Sequence, residues 1–538
     1  MSNSSNTLQP GEGASCRQLL LVLAFSFLFA LGVAVGGGGF SSDLGGDPDE
    51  AAHAVTALML RDYLADGLGS HPMTFAKAYY ADFPRVALGH YPPLYYVLNA
   101  PLLLAHNSVS TLLVFQSLTL SLLAALTFHI GRHFLKTAPA AAASLCMLLL
   151  PQTLKMTQHV MADVLLALFC LWAALLWAWY IKAPSVRRAL LWGTVAAAAI
   201  LTKGSGMGLC LLPPLGTLLT GRWRLVFSWS WWFAALPVAV LAGPWMLYST
   251  GISKEGMTLL SPTQYLMQAV PFYLKGMPVI FGWPLSLLAA AGAGLCLLSG
   301  WKKRALDPLL ASLFAMCAGM TLVLLLVPVG LSVRYMLTLS PLVMLMAAYG
   351  LARVPWPAKL AYSATPLLLL VFSLLPVLTA DIWPTKDVRG FSATVSRSGM
   401  PNRGEAKQNW LVASDPRGEG AVIAAAAFGS QQRFPANLRI YRGSKELATS
   451  DWMGRGYKAA FTKEADLLDH LDKLHVTRVF LDLSEPEDRR QPHEVQLLNA
   501  MNSASQRWRL DFEQPVTRVS WETGLMRVYQ RTSANSHN

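Results

Sequence analysis

The sequence predicts a polytopic α-helical membrane protein with about eleven transmembrane helices, followed by a C-terminal α/β domain. Apolar stretches of about 20 residues, the length that crosses a bilayer, recur between Leu19 and Ala380. Hydrophobic residues make up 54% of the 538 residues and charged residues only 14%, whereas an average soluble domain has about 25% charged residues. From Asp381 to Asn538 the sequence contains no such long apolar stretch.

Charged residues divide the apolar sequence into the predicted spans. They cover residues 19–36, 94–130, 138–151, 164–181, 188–202, 205–220, 225–247, 279–299, 307–327, 336–352 and 360–380. The stretch 94–130 is long enough for one long or two broken segments. Those around Ala138 and Lys203 are short, as in re-entrant segments or helices that end at a cavity. Arg17 precedes the first span as in a secretory signal, but no Ala-x-Ala cleavage motif follows and the topology requires the helix.

The positive charge predicts the orientation of the chain. Lys and Arg total 43 and Asp and Glu 30, a net charge of +13. Many of the cations lie in alternate short loops that contain almost no acids, which is typical of cytoplasmic loops. They are Arg17, Arg132, Lys136, Lys182, Arg187, Arg188, Arg222, Arg224, Lys302, Lys303, Arg304, Arg353 and Lys359. The pattern predicts a multi-pass plasma (inner) membrane protein with a cytoplasmic N-terminus and an exterior tail, and no nucleic-acid partner.

The predicted domains are a transmembrane catalytic domain at residues 1–380, with an exterior loop at residues 37–93, and an extracytoplasmic domain at residues 381–538. In the tail, predicted strands at Ala421–Phe428, Leu438–Tyr441, Arg478–Leu483 and Leu525–Tyr529 alternate with predicted helices at Glu464–Leu474 and Glu494–Met501. The tail has no phosphate-binding glycine motif and no nucleophile elbow, so no chemistry is assigned to it. It has no cysteine either, and no disulfide framework or cysteine metal site is predicted.

A cluster of acids opens the first helix of the exterior loop, in the sequence GDPDEAAH at residues 46–53. Asp47 as N-cap, Pro48 as the first helical residue and Glu50 as the third would form a capping box. Asp49 has no role in that box, and His53 follows it by one turn on the same face. The pattern leaves a helix start and a functional site equally open.

Three charged residues stand at the exterior ends of predicted spans. Asp163 precedes the span 164–181; such a carboxylate usually faces a polar cavity, although an interfacial N-cap is the alternative. Lys203 and Arg334 stand where the positive-inside rule gives no reason for a cation. Each either reaches to lipid headgroups or binds an anion. Two carboxylates and two cations near one membrane face predict a site for an anionic, lipid-linked reactant, in which a carboxylate deprotonates an incoming hydroxyl.

These motifs together resemble the GT-C glycosyltransferases. They are Asp49-Glu50, then Pro92-Pro93-Leu94-Tyr95-Tyr96 in an interfacial tyrosine-rich helix start, Asp163, Leu201-Thr202-Lys203-Gly204, and Arg334-Tyr335 with Pro341. The chain is most similar to the bacterial protein O-mannosyltransferase-like group, which includes the aminoarabinose transferase of lipid A, over about residues 19–380. The resemblance implies an inverting transfer of a hexose or pentose from a polyprenyl-phosphate carrier to a glycan, lipid or protein acceptor at the outer face.

The resemblance also implies roles for individual residues. Asp49 is the expected base and Asp163 the second active-site acid, with Glu50 beside them at the helix start. The expected ligands of the donor phosphate are Lys203, Arg334, Tyr335, His90 and Tyr91. Some relatives have a Lys before the proline pair, where this chain has His90-Tyr91. Some relatives also hold a divalent cation and others need none, so Asp49, His53 and Asp163 are candidate metal ligands.

Two other functions stay open at this stage. A transporter or flippase of lipid-linked saccharides is the first alternative, but such proteins often have internal repeats with broken helices in each half, which this sequence lacks. A structural or assembly role is the second, and it gives no reason for Lys203 and Arg334.

Overall fold

The computed structural model describes residues 13–357, 360, 363–379, 385–402, 404–430, 433–451, 454–520 and 522–532. Among these residues, seven helical segments are long and apolar enough to cross a membrane: Cys16–Gly36, Val109–Gly131, Asp163–Lys182, Trp229–Glu255, Pro262–Lys302, Pro308–Leu326 and Val333–Leu351. Four shorter apolar helices are Leu94–Ala105, Thr137–Leu149, Gly204–Leu219 and Ala364–Thr379. A further helix, Val186–Thr202, packs beside them. The polytopic helical fold is therefore confirmed. The predicted cytoplasmic Lys359 and the predicted domain boundary at residues 380–381 lie outside the described residues.

The structure decides the form of two predicted spans. The stretch 94–130, predicted as one long or two broken segments, is two helices: the first ends at Ala105, and Ser108 caps the second through a hydrogen bond from Ser110 N. The stretch 279–299 belongs to the longer helix Pro262–Lys302, which is kinked at Gly282. Gly282 has φ +72°, a left-handed conformation that costs a glycine little.

The helix Asp163–Lys182 lies at the centre of the membrane bundle. It packs against the helices Val109–Gly131, Val186–Thr202 and Pro308–Leu326. Most of its residues are buried, including Trp177 and Tyr180, as expected of a helix that is apolar on every face. Its N-terminal residue, Asp163, therefore lies in the interior of the protein.

The predicted exterior loop at residues 37–93 forms two helices, Glu50–Asp62 and Pro72–Asp82. A short helix at Pro151–Met156 begins a second connection, at residues 150–162, between Thr137–Leu149 and Asp163–Lys182. The segment Gly46–Asp49 lies directly before the first of these helices, beside residues 158–160 of the second connection, where Glu50 accepts a hydrogen bond from Val160 N.

The C-terminal domain is built on a mixed five-stranded sheet. Its strands, in spatial order, are Leu438–Arg442, Gln408–Ala413, Arg478–Asp482, Thr523–Arg531 and Trp508–Thr517. The first three are parallel to one another and the last two are antiparallel to their neighbours. The helices are Phe391–Ser398, Pro416–Gly429, Gly443–Glu446, Glu464–Lys473 and Pro492–Ser503, and a small antiparallel pair joins Ala448–Thr449 to Lys458–Ala459.

The predicted α/β composition of the tail is confirmed, with one element wrong. Residues 421–428 lie inside the helix Pro416–Gly429 rather than in a strand. Asp415 caps this helix through Gly418 N, and Pro416 is its first residue. The four consecutive alanines at 424–427 favour a helix. The helix is buried, which explains the unbroken apolar run that suggested a strand.

The exterior loop and the C-terminal domain share one hydrophobic core. Val55, Leu58 and Phe83 of the loop pack in the same cluster as Phe391 and Val412 of the domain. The Phe434 ring of the domain lies 5.2 Å from the rings of both Phe75 and Tyr79, which lie on the loop helix Pro72–Asp82. The tail is therefore packed onto the exterior loop.

Candidate active site

Arg334 holds two carboxylates of the exterior loop. It lies at the start of the segment Val333–Leu351. Its Nη1 donates to Asp47 Oδ1 at 2.8 Å and its Nη2 to Asp49 Oδ2 at 2.5 Å. The Tyr91 hydroxyl also donates to Asp49 Oδ2, at 2.8 Å. We call Asp47, Asp49, Tyr91 and Arg334 the arginine group.

The electrostatics of this group keep Asp49 ionised. Burial has the largest single effect and raises the pKa of Asp49, but the Arg334 charge and the hydrogen bonds from Arg334 and Tyr91 contribute to a larger opposite effect, and the pKa lies well below its ordinary value. The pKa of Asp47 is lowered by the same guanidinium against the same burial. The Asp49 side chain is nevertheless 24% exposed, so a small hydroxyl compound can approach it.

A second ion pair lies at the ends of two membrane helices. Lys203 Nζ, directly after the helix Val186–Thr202, donates to Asp163 Oδ1 at 2.7 Å. The two side chains are only 9% and 4% exposed. The ammonium also lies 4.4 Å from the centroid of the Tyr335 ring, a cation–π distance. We call Asp163, Lys203 and Tyr335 the lysine group.

Aromatic rings join the two groups. The Lys203 ammonium lies 5.8 Å from the centroid of the Tyr91 ring, and the Arg334 guanidinium lies 5.3 Å from that of Tyr335. Lys203 thus contacts a tyrosine of the arginine group, and Arg334 contacts a tyrosine of the lysine group. The structure therefore brings together Asp49, Asp163, Lys203, Arg334 and the two tyrosines, which are distant in sequence.

His53 lies behind these groups and is fully buried. Its ring is 4.6 Å from that of Tyr91, and its Nδ1 is 2.9 Å from the Tyr96 hydroxyl. Burial lowers its pKa to about 4, in spite of the nearby Asp49 carboxylate, which raises it. His53 is therefore neutral at pH 7.

Three of these side chains carry a buried polar atom with no hydrogen-bond partner. Within the described part of the chain, Asp163 Oδ2, Arg334 Nε and His53 Nε2 are buried and form no hydrogen bond. A buried polar group without a partner costs about 1–3 kcal/mol. Three such atoms on charged or titratable side chains of one cluster indicate a place where a polar ligand binds.

The three candidate metal ligands have other partners in the structure. Asp49 forms an ion pair with Arg334 and Asp163 with Lys203, so each carboxylate already faces a cation. His53 Nδ1 is directed at a tyrosine. In the residues that the structure describes, no group of three His, Cys, Asp or Glu side chains is placed to hold a metal ion. The role of Asp49, His53 and Asp163 as ligands of a divalent cation stays a prediction.

Glu50 has a different role from the predicted capping box. The helix begins at Glu50 with Asp49 as its N-cap residue, so Asp47 and Pro48 precede the helix. Asp47 still accepts a hydrogen bond from Asp49 N, at 3.1 Å. The Glu50 carboxylate accepts from Gly45 N and Gly46 N rather than from Asp47 N, and it forms a fully buried ion pair with Lys386. The predicted capping box is therefore wrong.

His90 is only half-buried, next to Tyr91 in the chain. Burial lowers its pKa, and the neighbouring Glu255 carboxylate opposes this effect. The Asp49 carboxylate also raises the pKa of His90, so His90 lies near the arginine group. Its predicted contact with a donor phosphate stays a prediction.

Comparison with known proteins gives a match to a family model over a third of the chain, and a fold. Residues 72–251 match the family model of dolichyl-phosphate-mannose-protein mannosyltransferase. The oligosaccharyltransferase of Archaeoglobus fulgidus in complex with Zn and sulfate superposes with a TM-score of 0.54 at 11% identity, over 94% of this chain and 72% of that one. The same archaeal enzyme, AglB, in complex with an inhibitory peptide and a dolichol-phosphate gives 0.50 at 11%, over 97% and 75%. No curated protein matches the sequence.

The chain has the GT-C glycosyltransferase fold. Mycobacterial arabinofuranosyltransferase AftD also superposes, with a TM-score of 0.50 at 15% identity, over 98% of this chain but only 41% of AftD. ArnT from Cupriavidus metallidurans bound to undecaprenyl phosphate gives a TM-score of only 0.45, at 16% identity over 77% and 76% of the two chains. The predicted resemblance to GT-C enzymes is thus confirmed for the fold.

Within this GT-C fold, the sequence analysis missed two members of the site. Asp47 is predicted only as an N-cap, because its other partner, Arg334, is 287 positions away in the sequence. Lys155, on the helix Pro151–Met156, is near enough to Asp47 and Arg334 for both to act on its pKa, which burial lowers. An exterior lysine in a short loop could have been found by the same argument as Lys203, since orientation gives no reason for a cation there.

Proposed function

We propose that this chain is a glycosyltransferase that moves a sugar from a polyprenyl-phosphate carrier to an acceptor hydroxyl, with inversion at the anomeric carbon. The observation that carries the proposal is a cluster of two cations, Lys203 and Arg334, paired with two carboxylates, Asp163 and Asp49. Two of these side chains, and the neighbouring His53, each keep a buried polar atom without a hydrogen bond. The family match supports it, and so does the fold, since AglB of this fold holds a dolichol-phosphate.

Asp49 is the proposed base. It is ionised, it lies on the more exposed side of the cluster, and Tyr91 fixes the oxygen that Arg334 also holds. Its low pKa makes it a weak base in this state. A donor phosphate that takes over the hydrogen bonds of Arg334 would remove that constraint and raise the pKa of Asp49 when both substrates are bound. Binding of the donor would thus prepare the base.

Lys203 and Arg334 are the proposed ligands of the phosphate. In the reaction, Asp49 takes the proton of the acceptor hydroxyl while its oxygen forms a bond to the anomeric carbon. The bond from that carbon to the phosphate oxygen breaks, and polyprenyl phosphate leaves with the electron pair. Positive charge fixed beside the departing oxygen stabilises the transition state. Asp163 orients Lys203 and offers Oδ2 to a sugar hydroxyl.

A further cation lies near the cluster. Lys155 is within electrostatic reach of Asp47 and Arg334, and Arg417 acts on the same lysine. We infer that Lys155 adds positive charge beside the cluster and thereby helps an anionic donor to enter.

The proposed orientation places the cluster and the C-terminal domain outside the cytoplasm of the plasma (inner) membrane. Arg132, Arg188, Arg222, Lys303 and Arg353 then face the cytoplasm. Labelling with a membrane-impermeant thiol reagent tests this. In a cysteine-free background, His71→Cys and Asp451→Cys should react in intact spheroplasts, and Lys303→Cys should react only after lysis. The opposite result would reverse the orientation.

Turnover by the purified protein tests the function. Synthetic polyprenyl-phosphate mannose and polyprenyl-phosphate arabinose are incubated with the protein and with total envelope lipids and glycans as acceptors. Release of polyprenyl phosphate and a labelled acceptor product are expected with one of the two donors. Movement of an intact donor across proteoliposomes without turnover would favour a flippase instead.

A further inference from the structure

Lys386 joins the C-terminal domain to the acids of the exterior loop. It lies between the last apolar helix, Ala364–Thr379, and the sheet. Its Nζ is 2.6 Å from Glu50 Oε1, and the two side chains are 1% and 0% exposed. Its backbone is fixed as well, since its N–H donates to Gly37 O at 2.7 Å and its carbonyl accepts from Ser42 Oγ at 2.8 Å.

Glu50 connects this lysine to the two segments that carry the proposed acids. Its Oε2 accepts from Gly45 N at 3.2 Å and from Gly46 N at 3.0 Å, and its Oε1 accepts from Val160 N at 3.2 Å. One buried carboxylate therefore receives four hydrogen bonds from three separate parts of the chain.

The position of these segments matters for the reaction. Asp49 directly precedes Glu50, and Asp163 is three residues beyond Val160. A displacement of the Glu50 carboxylate would change the position of Asp49 relative to Arg334. It would also change the position of Asp163 relative to Lys203. A misplacement of about 1 Å at a reacting group can lower a rate by about 100-fold.

We propose that Lys386 is a positioning residue: through Glu50 it sets the relative position of Asp49 and Asp163, so that the C-terminal domain is a structural part of the active site. The inference rests on the proposed function. It gives the domain a role in catalysis that does not require the domain to contact a substrate.

A second contact between the same two regions provides a matched control. Asp82, at the end of the other loop helix, pairs with Lys407 at 2.8 Å and Arg439 at 3.0 Å. This contact also attaches the domain to the exterior loop, but it involves neither Glu50 nor the segment around Val160. Lys407→Met therefore tests attachment of the domain alone.

The test compares Lys386→Met with Lys407→Met in the full-length protein. For Lys386→Met we expect kcat to fall about 100-fold, with little change in KM for the polyprenyl-phosphate sugar. Amide hydrogen exchange should become faster at residues 44–50 and 158–163. The acidic limb of the kcat/KM profile should move to higher pH, because a displaced Arg334 lowers the pKa of Asp49 less. Lys407→Met should show none of the three changes.

A double variant, Glu50→Gln with Lys386→Met, removes both buried charges and covers the case in which the single variant does not fold. Removing one partner of a buried pair leaves an uncompensated charge, whereas removing both is often tolerated. We expect this variant to fold and still to have a kcat at least 10-fold below that of the wild type.

Wild-type kcat in the double variant, or equal losses in Lys386→Met and Lys407→Met, would overturn the inference. If the wild-type protein does not turn over the donor, the proposed function fails, and the hydrogen-exchange comparison still decides whether Lys386 fixes the two segments.

Discussion

The two ion-paired groups of the site differ in burial and in the number of partners. In the arginine group, one guanidinium holds two carboxylates from a loop, and the Asp49 side chain is 24% exposed. In the lysine group, one ammonium holds one carboxylate between helix ends, and both side chains are nearly buried. Accessible charge suits proton transfer with a diffusing acceptor, whereas buried charge suits a fixed leaving group in a low-dielectric site. We therefore expect the acceptor to approach on the side of Asp49, with Arg334 between that carboxylate and the donor phosphate that Lys203 also binds.

The largest expected effect is at Asp49. Asp49→Asn keeps the shape of the side chain but cannot take a proton, so sugar transfer should fall by about 100- to 10,000-fold. Thermal unfolding in detergent should change little, because the side chain is partly exposed. Asp66→Asn, in the same loop and half exposed, is the control and should keep full activity. Near-full transfer by Asp49→Asn would show that Asp49 is not the base, and the arginine group would then have no role in proton transfer.

Arg334 gives the next largest effect. Removing a preorganised donor from a developing oxyanion costs about 3–4 kcal/mol in the transition state, so Arg334→Ala should lower kcat by roughly 100- to 1,000-fold. Arg334→Lys should recover only part of this loss, because a single ammonium cannot hold Asp47 and Asp49 in the forked geometry. Full recovery by lysine would show that only the charge matters and would make the two groups equivalent.

Several parts of this comparison could be predicted from sequence. Lys203 and Arg334 were visible because each is a cation at a membrane-helix end where orientation requires none. The Glu50–Lys386 pair was not, because its partners are 336 residues apart and capping explained Glu50 locally. The same limit applies to the helix Pro416–Gly429, where burial on every side removed the helical periodicity on which sequence reasoning depends.

Lys203 should give a smaller effect on turnover and a separate effect on stability. A hydrogen bond to a charged group contributes about 1.5–3 kcal/mol, so transfer by Lys203→Met should fall by about 10- to 100-fold. The single change also leaves Asp163 as an unpaired buried charge and should lower the unfolding temperature. Adding Asp163→Asn should restore the unfolding temperature but not the transfer. Restoration of both would mean that Lys203 only neutralises Asp163.

The smallest expected effect is a dependence of stability on pH. His53 and His159 are both buried beside the acids, and burial lowers the pKa of each to about 4 from an ordinary value of 6.5. Between pH 6.5 and 4, the unfolded chain binds protons at these positions that the folded chain does not. The contribution of the two histidines to the free energy of unfolding is therefore fully present above pH 6.5. It falls as the pH decreases through this window, by up to about 1.4 kcal/mol per histidine for each pH unit.

The two histidines also separate the groups, because His53 lies against Tyr91 of the arginine group, whereas His159 lies next to Glu50 and Lys386. We expect the unfolding temperature in detergent to fall between pH 7 and pH 5. His159→Asn should reduce this fall by about half, and so should His53→Asn, since the two shifts are of similar size. Because His53 is neutral throughout the range of activity, it should add no inflection near pH 6.5 to the kcat/KM profile. An unfolding temperature that is flat between pH 7 and pH 5 would show that water reaches both rings, and the arginine group would then be more open than its buried atoms indicate.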